Sequence, residues 1–241
     1  MEYVAKTNVG KKREKNEDYF LVKTIDDKTA IYVVADGLGG YASGEVASKL
    51  ACEIIVQNFE IKYSKSCDIK EILKSSVILA NEKIFEFEKT DEKYKGMGTT
   101  IVILCINEDK VYYTSVGDSR MYHVDKDFGL IKQITEDDTY VNTLLKTNVI
   151  SESEATNHPQ KHMLTKALGI FAKIDVEVFE FEYNVEGYLV ICTDGVTNML
   201  DEKEILNLFR KNKFETIAEK IVLKANDKGG TDNITVVIVK I

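Results

Sequence analysis

Residues 30–40 read Ala-Ile-Tyr-Val-Val-Ala-Asp-Gly-Leu-Gly-Gly. The β-branched and aromatic side chains are typical of a buried β-strand, which places Asp36 at the end of that strand. The glycines that follow would let a ligand approach the backbone closely. An aspartate beside glycine is also a common turn residue, because its side chain bonds its own backbone. This stretch alone leaves both interpretations open.

The same pattern recurs further along the chain. A second apolar run, Tyr188–Cys192, leads into Asp194, a related one leads into Asp118, and Asp232 stands just before the last run. Long apolar runs indicate central strands, whose ends we expect to meet near one edge of the core. Carboxylates that converge there repel one another and raise their pKa values unless cations neutralise them. Because the set has oxygen ligands and no histidine or cysteine, it favours a pair of Mn²⁺ or Mg²⁺ ions over zinc.

Strand and helix patterns fill most of the 241 residues, 44% of which are hydrophobic, enough for a sizeable core. Helices with apolar gaps of three and four are predicted at 43–59 and 69–88, and capping boxes begin shorter helices at Ser151 and Asp201. Short β-branched runs predict strands at residues 18–24, 30–35, 100–106, 110–115, 119–124, 176–181, 188–192 and 233–239. Strands in consecutive runs and helices in pairs favour an α+β fold of antiparallel sheets with helices outside. A single proline and no linker-like tract indicate one domain over residues 1–241.

The charge balance limits the partners. The formal net charge is −8, with 40 acidic against 32 basic side chains, so no nucleic-acid partner is expected. No stretch approaches the roughly 20 apolar residues that span a bilayer, and the N-terminus lacks the apolar segment of a signal peptide. The four cysteines form no C-x-x-C pair, which indicates free thiols in a reducing compartment. We expect a cytoplasmic protein without a membrane partner.

Six short segments lie in order between residues 13 and 235: R-E-K-N-E-D (13–18), V-A-D-G-L-G-G (34–40), G-M-G-T-T (96–100), V-G-D-S-R (116–120), C-T-D-G-V-T (192–197) and G-G-T-D-N-I-T (229–235). Together they resemble the bacterial branch of the metal-dependent PPM/PP2C-type Ser/Thr phosphatases. Each segment alone is a weak match, but six in order over nearly the whole chain are a strong one. The resemblance implies a four-layer α-β-β-α sandwich, in which helix pairs flank two antiparallel sheets and the site lies at one end.

The resemblance also implies roles for individual residues as metal ligands. Asp36 would bridge two metal ions, and the carbonyl of Gly37 would bind the first of them. Asp194 and Asp232 would hold the second ion. Asp118, together with Asp194, would serve a third metal position.

On the phosphate side, the resemblance implies that Glu17 and Asp18 orient metal-bound water. Arg13 would bind two phosphate oxygens with its planar fork. A water that bridges two metals gives a hydroxide near neutral pH, which can attack phosphorus without a covalent phosphoenzyme. Taken alone, the basic run 11–13 could be an ordinary solvated cluster, and the Asn-Glu-Asp at 16–18 favours the phosphate role.

Two positions depart from the family pattern. Leu38 stands where eukaryotic relatives carry a histidine, so the proton donor for the leaving serine or threonine stays unassigned. Asp138 stands where bacterial relatives commonly have a histidine, which makes the local charge more negative. It lies in the segment 137–167 that corresponds to the family's mobile flap, where we expect substrate choice to be decided. No catalytic role is expected for the three histidines, His123, His158 and His162.

Other classes fit less well. Gly10-Lys11 lacks the glycine that a P-loop needs at the position of Ala5, and Leu38 replaces the second aspartate of the aspartate-nucleophile phosphatases. A catalytically silent binding module of the same fold would have lost one of the metal-binding aspartates or Arg13, all of which are present. We therefore predict a monomeric protein-serine/threonine phosphatase that acts on phosphoproteins and reverses a cognate bacterial Ser/Thr kinase.

Overall fold

The strands of the computed structural model form two antiparallel sheets. The structure describes residues 1–39, 43–182 and 186–241. In chain order the strands are β1 (Tyr3–Asn8), β2 (Asp18–Asp26), β3 (Thr29–Leu38), β4 (Gly98–Thr99), β5 (Ile101–Asn107), β6 (Lys110–Val116), β7 (Arg120–Asp125), β8 (Ile131–Gln133), β9 (Phe179–Glu182), β10 (Gly187–Cys192) and β11 (Ile234–Lys240). One sheet has the order β1-β11-β10-β7-β8, and the other has the order β2-β3-β5-β6-β9, with β4 paired to β3.

Helices cover the outer faces of both sheets. In chain order they are α1 (Gly44–Lys62), α2 (Ile69–Phe87), α3 (Tyr140–Lys146), α4 (Glu152–Thr156), α5 (Asp194–Thr197), α6 (Glu202–Lys211) and α7 (Phe214–Asp227), with short 3₁₀ turns at Glu88–Thr90 and Glu92–Tyr94. The pair α1 and α2 packs on the sheet that contains β3, and the pair α6 and α7 packs on the sheet that contains β11. This gives the four layers that the resemblance implies.

Strand β3 shows why the apolar run at residues 30–35 has no polar alternation. Ile31 and Val33 pack against the α1/α2 layer, while Tyr32 and Val34 point into the core between the two sheets. All four side chains are at most 1% exposed. A strand that is covered on both faces needs apolar residues at every position.

The predicted fold is confirmed, with corrections at individual elements. The strand expected at 176–181 begins only at Phe179, because the Thr114 hydroxyl donates a 2.7 Å hydrogen bond to the Glu177 carbonyl and replaces the backbone ladder there. The sequence patterns missed β1, β4, β8, α3, α5 and α7. Of these, α7 begins without a side-chain cap, and β1 is a half-exposed edge strand. At α6 the predicted capping box is present, since Asp201 and Glu204 each accept a hydrogen bond from the other's backbone.

The cysteines and the helices bear on the expected compartment. Cys67 is half-buried, and the other three cysteines, Cys52, Cys105 and Cys192, are buried; all four are free thiols, as predicted. In the described ranges, no helix has the length and apolar character needed to cross a membrane. The cytoplasmic location stays a prediction.

Candidate functional site

A cavity of about 300 Å³ lies where strand ends from both sheets meet. Its described lining includes five carboxylic side chains, one guanidinium and one imidazole: Glu17, Asp36, Asp118, Asp194, Asp232, Arg13 and His162. The aspartates come from the ends of β3, β6 and β10 and from the turn before β11. The fold thus brings together the predicted site residues, with one difference at Asp18.

Asp18 lies beneath the cavity and is not among its described lining residues. It pairs with Asp36 in the register of β2 and β3, and only 6% of it is exposed. Its Oδ2 accepts a 2.8 Å hydrogen bond from the Thr193 hydroxyl, whereas its Oδ1 has no hydrogen-bond partner among the described residues. Burial raises the pKa of Asp18 to about 7, although the hydroxyls of Thr235 and Thr193 act in the opposite direction. This carboxyl group has one oxygen left for a ligand.

Asp36 and Asp194 are half-buried members of the cluster. Burial, followed by the negative charges of Asp18 and Asp194, raises the pKa of Asp36 well above its usual range. Burial and the charge of Asp232 also raise the pKa of Asp194, although Asn198 donates a 2.9 Å hydrogen bond to its Oδ2. Asp194 Oδ1 lacks a partner in the described part of the chain. A cation bound among these carboxylates would offset the repulsion that raises their pKa values.

The backbone at Asp36 is fixed on both sides. The Asp36 N–H donates to the Thr100 hydroxyl at 3.1 Å, and the Asp36 carbonyl accepts from the Thr100 N–H at 2.9 Å. The Gly37 N–H donates to the Glu17 carbonyl at 3.1 Å. A Cβ at Gly37 would lie 2.1 Å from the Gly44 carbonyl oxygen, so a larger residue would push α1 away from the site. This close approach explains the glycine that follows Asp36.

Asp118 stands on the turn between β6 and β7. Burial, followed by the charge of Asp194, raises its pKa to about 7. Ser119 on this turn shares a 2.7 Å hydrogen bond with the Thr100 hydroxyl. Because the same hydroxyl accepts the Asp36 N–H, Thr100 links the positions of the two aspartates.

Arg13 reaches the cavity from the loop between β1 and β2. Its Nη2 donates to Asp232 Oδ2 at 2.8 Å, and 51% of its side chain is exposed. An ion pair this exposed contributes only about 0–1 kcal/mol to stability. A phosphate could therefore replace Asp232 as the partner of Arg13 at a small cost in free energy. Burial raises the pKa of Glu17 on the same loop, and the Gly44 N–H partly offsets that rise.

Asn233 is a site residue that the sequence patterns did not single out. Its side chain is 3% exposed, and its Nδ2 donates to the carbonyls of Val9 and Lys15 at 2.9 and 2.8 Å. Its Oδ1 accepts from the Glu17 N–H at 2.8 Å. One buried amide therefore closes the loop that carries Arg13.

The segment 137–167 lies beside the cavity and contains α3 and α4. A second crevice, of about 580 Å³, separates this segment from β7, β8 and α5. Arg120 in β7 anchors the start of the segment through hydrogen bonds of 2.6–3.1 Å to the Asp137 carboxylate. The segment thus has a fixed base and borders the carboxylate cluster.

The three histidines occupy different surroundings. His123 lies in β7, and the ring of His158 lies 6.1 Å from the ring of Tyr140. His162 lines the cavity, and its charge is one of the influences that lower the pKa of Asp194 against the larger effect of burial. Sequence spacing gave no sign of this position.

The donor set suits hard divalent cations, because the carboxylates and the Gly37 carbonyl provide only oxygen ligands. The unpaired buried oxygens of Asp18 and Asp194 and the raised pKa values at Asp36 and Asp118 fit the same interpretation. Within the described ranges, no group of three or more His, Cys, Asp or Glu side chains already surrounds one point as a metal site.

Comparison with known proteins agrees with this geometry. The family model described as protein phosphatase 2C matches residues 9–230. The serine/threonine phosphatase stp of Listeria innocua serovar 6a is 35% identical over 240 residues, which are 98% of this chain and 94% of that protein. The crystal structure of the serine/threonine phosphatase Stp1 from Staphylococcus aureus has a TM-score of 0.92 at 31% identity, over 100% of this chain and 94% of that one.

A further solved structure concerns the cations. The catalytic domain of the serine threonine protein phosphatase PstP, in complex with two manganese ions, has a TM-score of 0.84 at 28% identity. The alignment covers 98% of this chain and 96% of that one. The family match and the identity to the Listeria protein along almost the whole chain confirm the resemblance of the six segments, and this chain belongs to the protein phosphatase 2C family of Ser/Thr phosphatases.

Proposed function

We propose that this protein hydrolyses phosphoserine and phosphothreonine in other proteins, with divalent cations held in the 300 Å³ cavity. The observation that carries the proposal is the convergence of five carboxylic side chains and Arg13 on that cavity. Relatives along the whole chain are named serine/threonine phosphatases, and a structural neighbour is described with two manganese ions.

The metal ligands are proposed as follows. Asp36 and the Gly37 carbonyl would hold a first cation, and Asp36 would share in holding a second cation with Asp194 and Asp232. Asp118, with Asp194, would hold a third. Mn²⁺ or Mg²⁺ held there would lower the pKa of a bound water and so supply a hydroxide for the attack on phosphorus.

Glu17 and Asp18 orient water at the cations. Support comes from the buried Asp18, whose Oδ2 is held by Thr193 while its Oδ1 has no partner among the described residues. Glu17 is likewise held through the Gly44 N–H. Each carboxylate accepts a hydrogen bond from a neighbouring group, which is the support expected of groups that position a water.

Arg13 binds the phosphate. Its exposed ion pair with Asp232 is weak, and cations bound to Asp232 would withdraw negative charge from that pair. The guanidinium can then donate two parallel hydrogen bonds to two phosphate oxygens, a bidentate geometry that lysine lacks.

The protein is further proposed to act as a one-domain monomer. Its segment 137–167 is proposed to form a flap that selects substrates, because this segment borders both the cavity and the adjoining crevice. A phosphatase for phosphoproteins requires an enzyme that makes them, so a Ser/Thr kinase is its expected functional partner.

The test is hydrolysis of p-nitrophenyl phosphate and of a phosphoserine peptide with Mn²⁺ or Mg²⁺, before and after chelation by EDTA. We expect turnover that stops on chelation and returns with excess cation, together with cation binding measured by calorimetry. Asp232→Asn should weaken both, whereas the same change at the exposed Asp227 on α7 should weaken neither. Turnover that survives chelation, or no turnover with either cation, would contradict the proposal.

A further inference from the structure

The proposed reaction needs a proton that no residue assigned so far supplies. The oxygen of a serine or threonine leaves phosphorus as a basic alkoxide, and a positioned acid speeds that departure. Leu38 has no proton to give, and the guanidinium of Arg13 keeps its proton near neutral pH. The cavity carboxylates are required as anions for the cations. Imidazole both gives and takes protons near neutral pH, and the described lining of the cavity includes one, His162.

We propose that His162 donates the proton to the leaving serine or threonine oxygen. This inference rests on the proposed function and deepens it at the same site.

The backbone next to His162 is anchored. Thr139 and Leu164 form an antiparallel bridge, and the Tyr140 N–H donates to the Met163 carbonyl at 2.8 Å. Leu164 lines the same cavity as His162. The imidazole therefore projects from the end of a hydrogen-bonded stem, which limits how far its backbone can move from the cavity.

Asp138 joins this stem to the turn that carries Asp118. The Asp138 N–H donates to the Gly117 carbonyl at 2.8 Å, and its Oδ2 accepts from the Gly117 N–H at 3.1 Å. Its carbonyl accepts from the Thr165 N–H at 2.8 Å. The base of the flap and the β6–β7 turn thus form one unit, and His162 is held on the side of the cavity where Asp118 lies.

The His162 ring is available for substrate. In the described part of the chain it has no hydrogen-bond or ion-pair partner, and His162 is an exposed residue that lines the cavity. Asp118 is the rival donor, because burial raises its pKa to about 7. The proposed function assigns the Asp118 carboxylate to a cation, and a carboxylate that binds a cation is not free to carry the proton. His162 has no such assignment.

A water oxygen forms a bond to phosphorus while the bond from phosphorus to the serine or threonine oxygen breaks. That oxygen takes the proton from one N–H of the His162 imidazolium and leaves as a neutral hydroxyl. The proton lost by the attacking water passes to solvent, and the imidazole regains a proton from solvent. The products are the dephosphorylated side chain and inorganic phosphate.

The test uses two leaving groups. p-Nitrophenolate is a weak base and leaves without a proton, whereas a serine alkoxide requires one. We expect His162→Gln to lower kcat for a phosphoserine peptide about 100-fold and to leave turnover of p-nitrophenyl phosphate nearly unchanged. The matched control is His158→Gln on the same flap, which should change neither rate. Equal loss on both substrates, or no loss on either, would overturn the proposal.

A second variant separates proton donation from charge. His162→Arg keeps a positive charge but does not give up a proton near neutral pH. It should be as slow on the phosphopeptide as His162→Gln. Recovery of peptide turnover in His162→Arg would show that the histidine serves only as a cation, and the proposal would fail.

Nuclear magnetic resonance provides a readout independent of turnover. The imidazole C–H signals of the three histidines are assigned with single His→Gln variants, and the Mg²⁺-loaded protein is titrated with a peptide whose phosphoserine is replaced by a non-hydrolysable phosphonate. The His162 signals should shift and those of His123 should not. Unmoved His162 signals at saturation would contradict the proposal.

If the wild type hydrolyses neither substrate, the proposed function itself fails. If the wild type hydrolyses both substrates and His162→Gln leaves the ratio of the two rates unchanged, only the role of His162 fails.

Discussion

Strand β3 carries a polar cluster at each end, and each cluster borders a cavity of similar size, about 320 Å³ near its start and about 300 Å³ near its end. Near the start, the Tyr63 hydroxyl donates to Asp26 at 2.9 Å and shares a 2.8 Å hydrogen bond with Thr29. Asn107 donates to the same threonine at 2.9 Å. A hydrogen bond from the Lys28 N–H, followed by that of Tyr63, lowers the pKa of Asp26.

At the other end of β3 the polar groups are incompletely paired. Asp36 is half-buried, its pKa is raised by burial and by neighbouring carboxylates, and two buried oxygens of Asp18 and Asp194 lack partners among the described residues. Cavity size therefore does not distinguish a binding site from a surface hollow. What distinguishes them is whether the local hydrogen bonds are complete. The Asp26 cluster is hydrogen-bonded, whereas the cluster around Asp36 contains buried oxygens without partners among the described residues, which favours it as the ligand site.

The largest test of this difference exchanges the same residue type at the two ends. Asp36→Asn should reduce phosphatase turnover by more than the 10- to 100-fold loss that is typical of outer-shell changes at metal sites. It should also stabilise the metal-free protein by about 1–2 kcal/mol, because a buried, repelled carboxyl group is removed. Asp26→Asn should leave turnover unchanged. Urea unfolding in EDTA measures the stability, and hydrolysis of p-nitrophenyl phosphate measures the turnover. An Asp36→Asn variant that is less stable than the wild type would contradict the proposed repulsion among these carboxylates.

The second test uses pH. Asp18 and Asp118 have pKa values of about 7 in the folded protein, above the ordinary value of about 3.9 in the unfolded chain. Between these values the folded state binds more protons, so stability falls as pH rises from about 4 to about 7, by about 1 kcal/mol per pH unit for each such group. Mg²⁺ should remove this slope. Melting temperatures are measured from pH 5 to 8, once with EDTA and once with Mg²⁺. The same dependence of melting temperature on pH in both conditions would contradict the prediction.

The third test concerns the phosphate. Arg13→Ala should raise KM for a phosphopeptide about 10- to 100-fold, since hydrogen bonds to charged groups contribute about 1.5–3 kcal/mol. The change in kcat should be smaller, because the fork serves the bound phosphate as well as the transition state. Arg13→Lys keeps the charge without the fork and should lie in between. An unchanged KM would remove Arg13 from the phosphate site.

The smallest effect is expected from two asparagines, one at each end of β3. Asn233→Asp removes both donors to the carbonyls of Val9 and Lys15. This should lower the free energy of unfolding by about 1–3 kcal/mol and raise KM, because the loop that carries Arg13 is held less firmly. Asn107→Asp removes the donor to Thr29 and should lower stability without a change in KM. Equal KM values in both variants would show that Asn233 has no positioning role.

Much of the fold could be predicted from local patterns. The strand at β3 and the helix at α2 were found because apolar runs and spacings report burial directly. β1 was missed because an edge strand has few apolar residues, and α7 was missed because it begins without a capping signal. The boundary of β9 depended on a hydroxyl of Thr114, far away in sequence, that takes the place of a ladder bond.

The candidate site divides in the same way. The order of the six segments, and with it the identity of Asp36, Asp194, Asp232 and Arg13 as site candidates, was determined by the sequence alone. The partners of Asn233 lie 216 to 224 positions away, so only the folded chain reveals what its amide holds.

The placement of His162 beside the aspartates was likewise decided by the tertiary structure, through the pairing at Thr139 and Leu164. The physical reason is general. A sequence pattern reports which residues prefer burial or a turn, but whether a polar group finds a partner or stays unpaired depends on which distant strand ends meet. That distinction separates the two ends of β3.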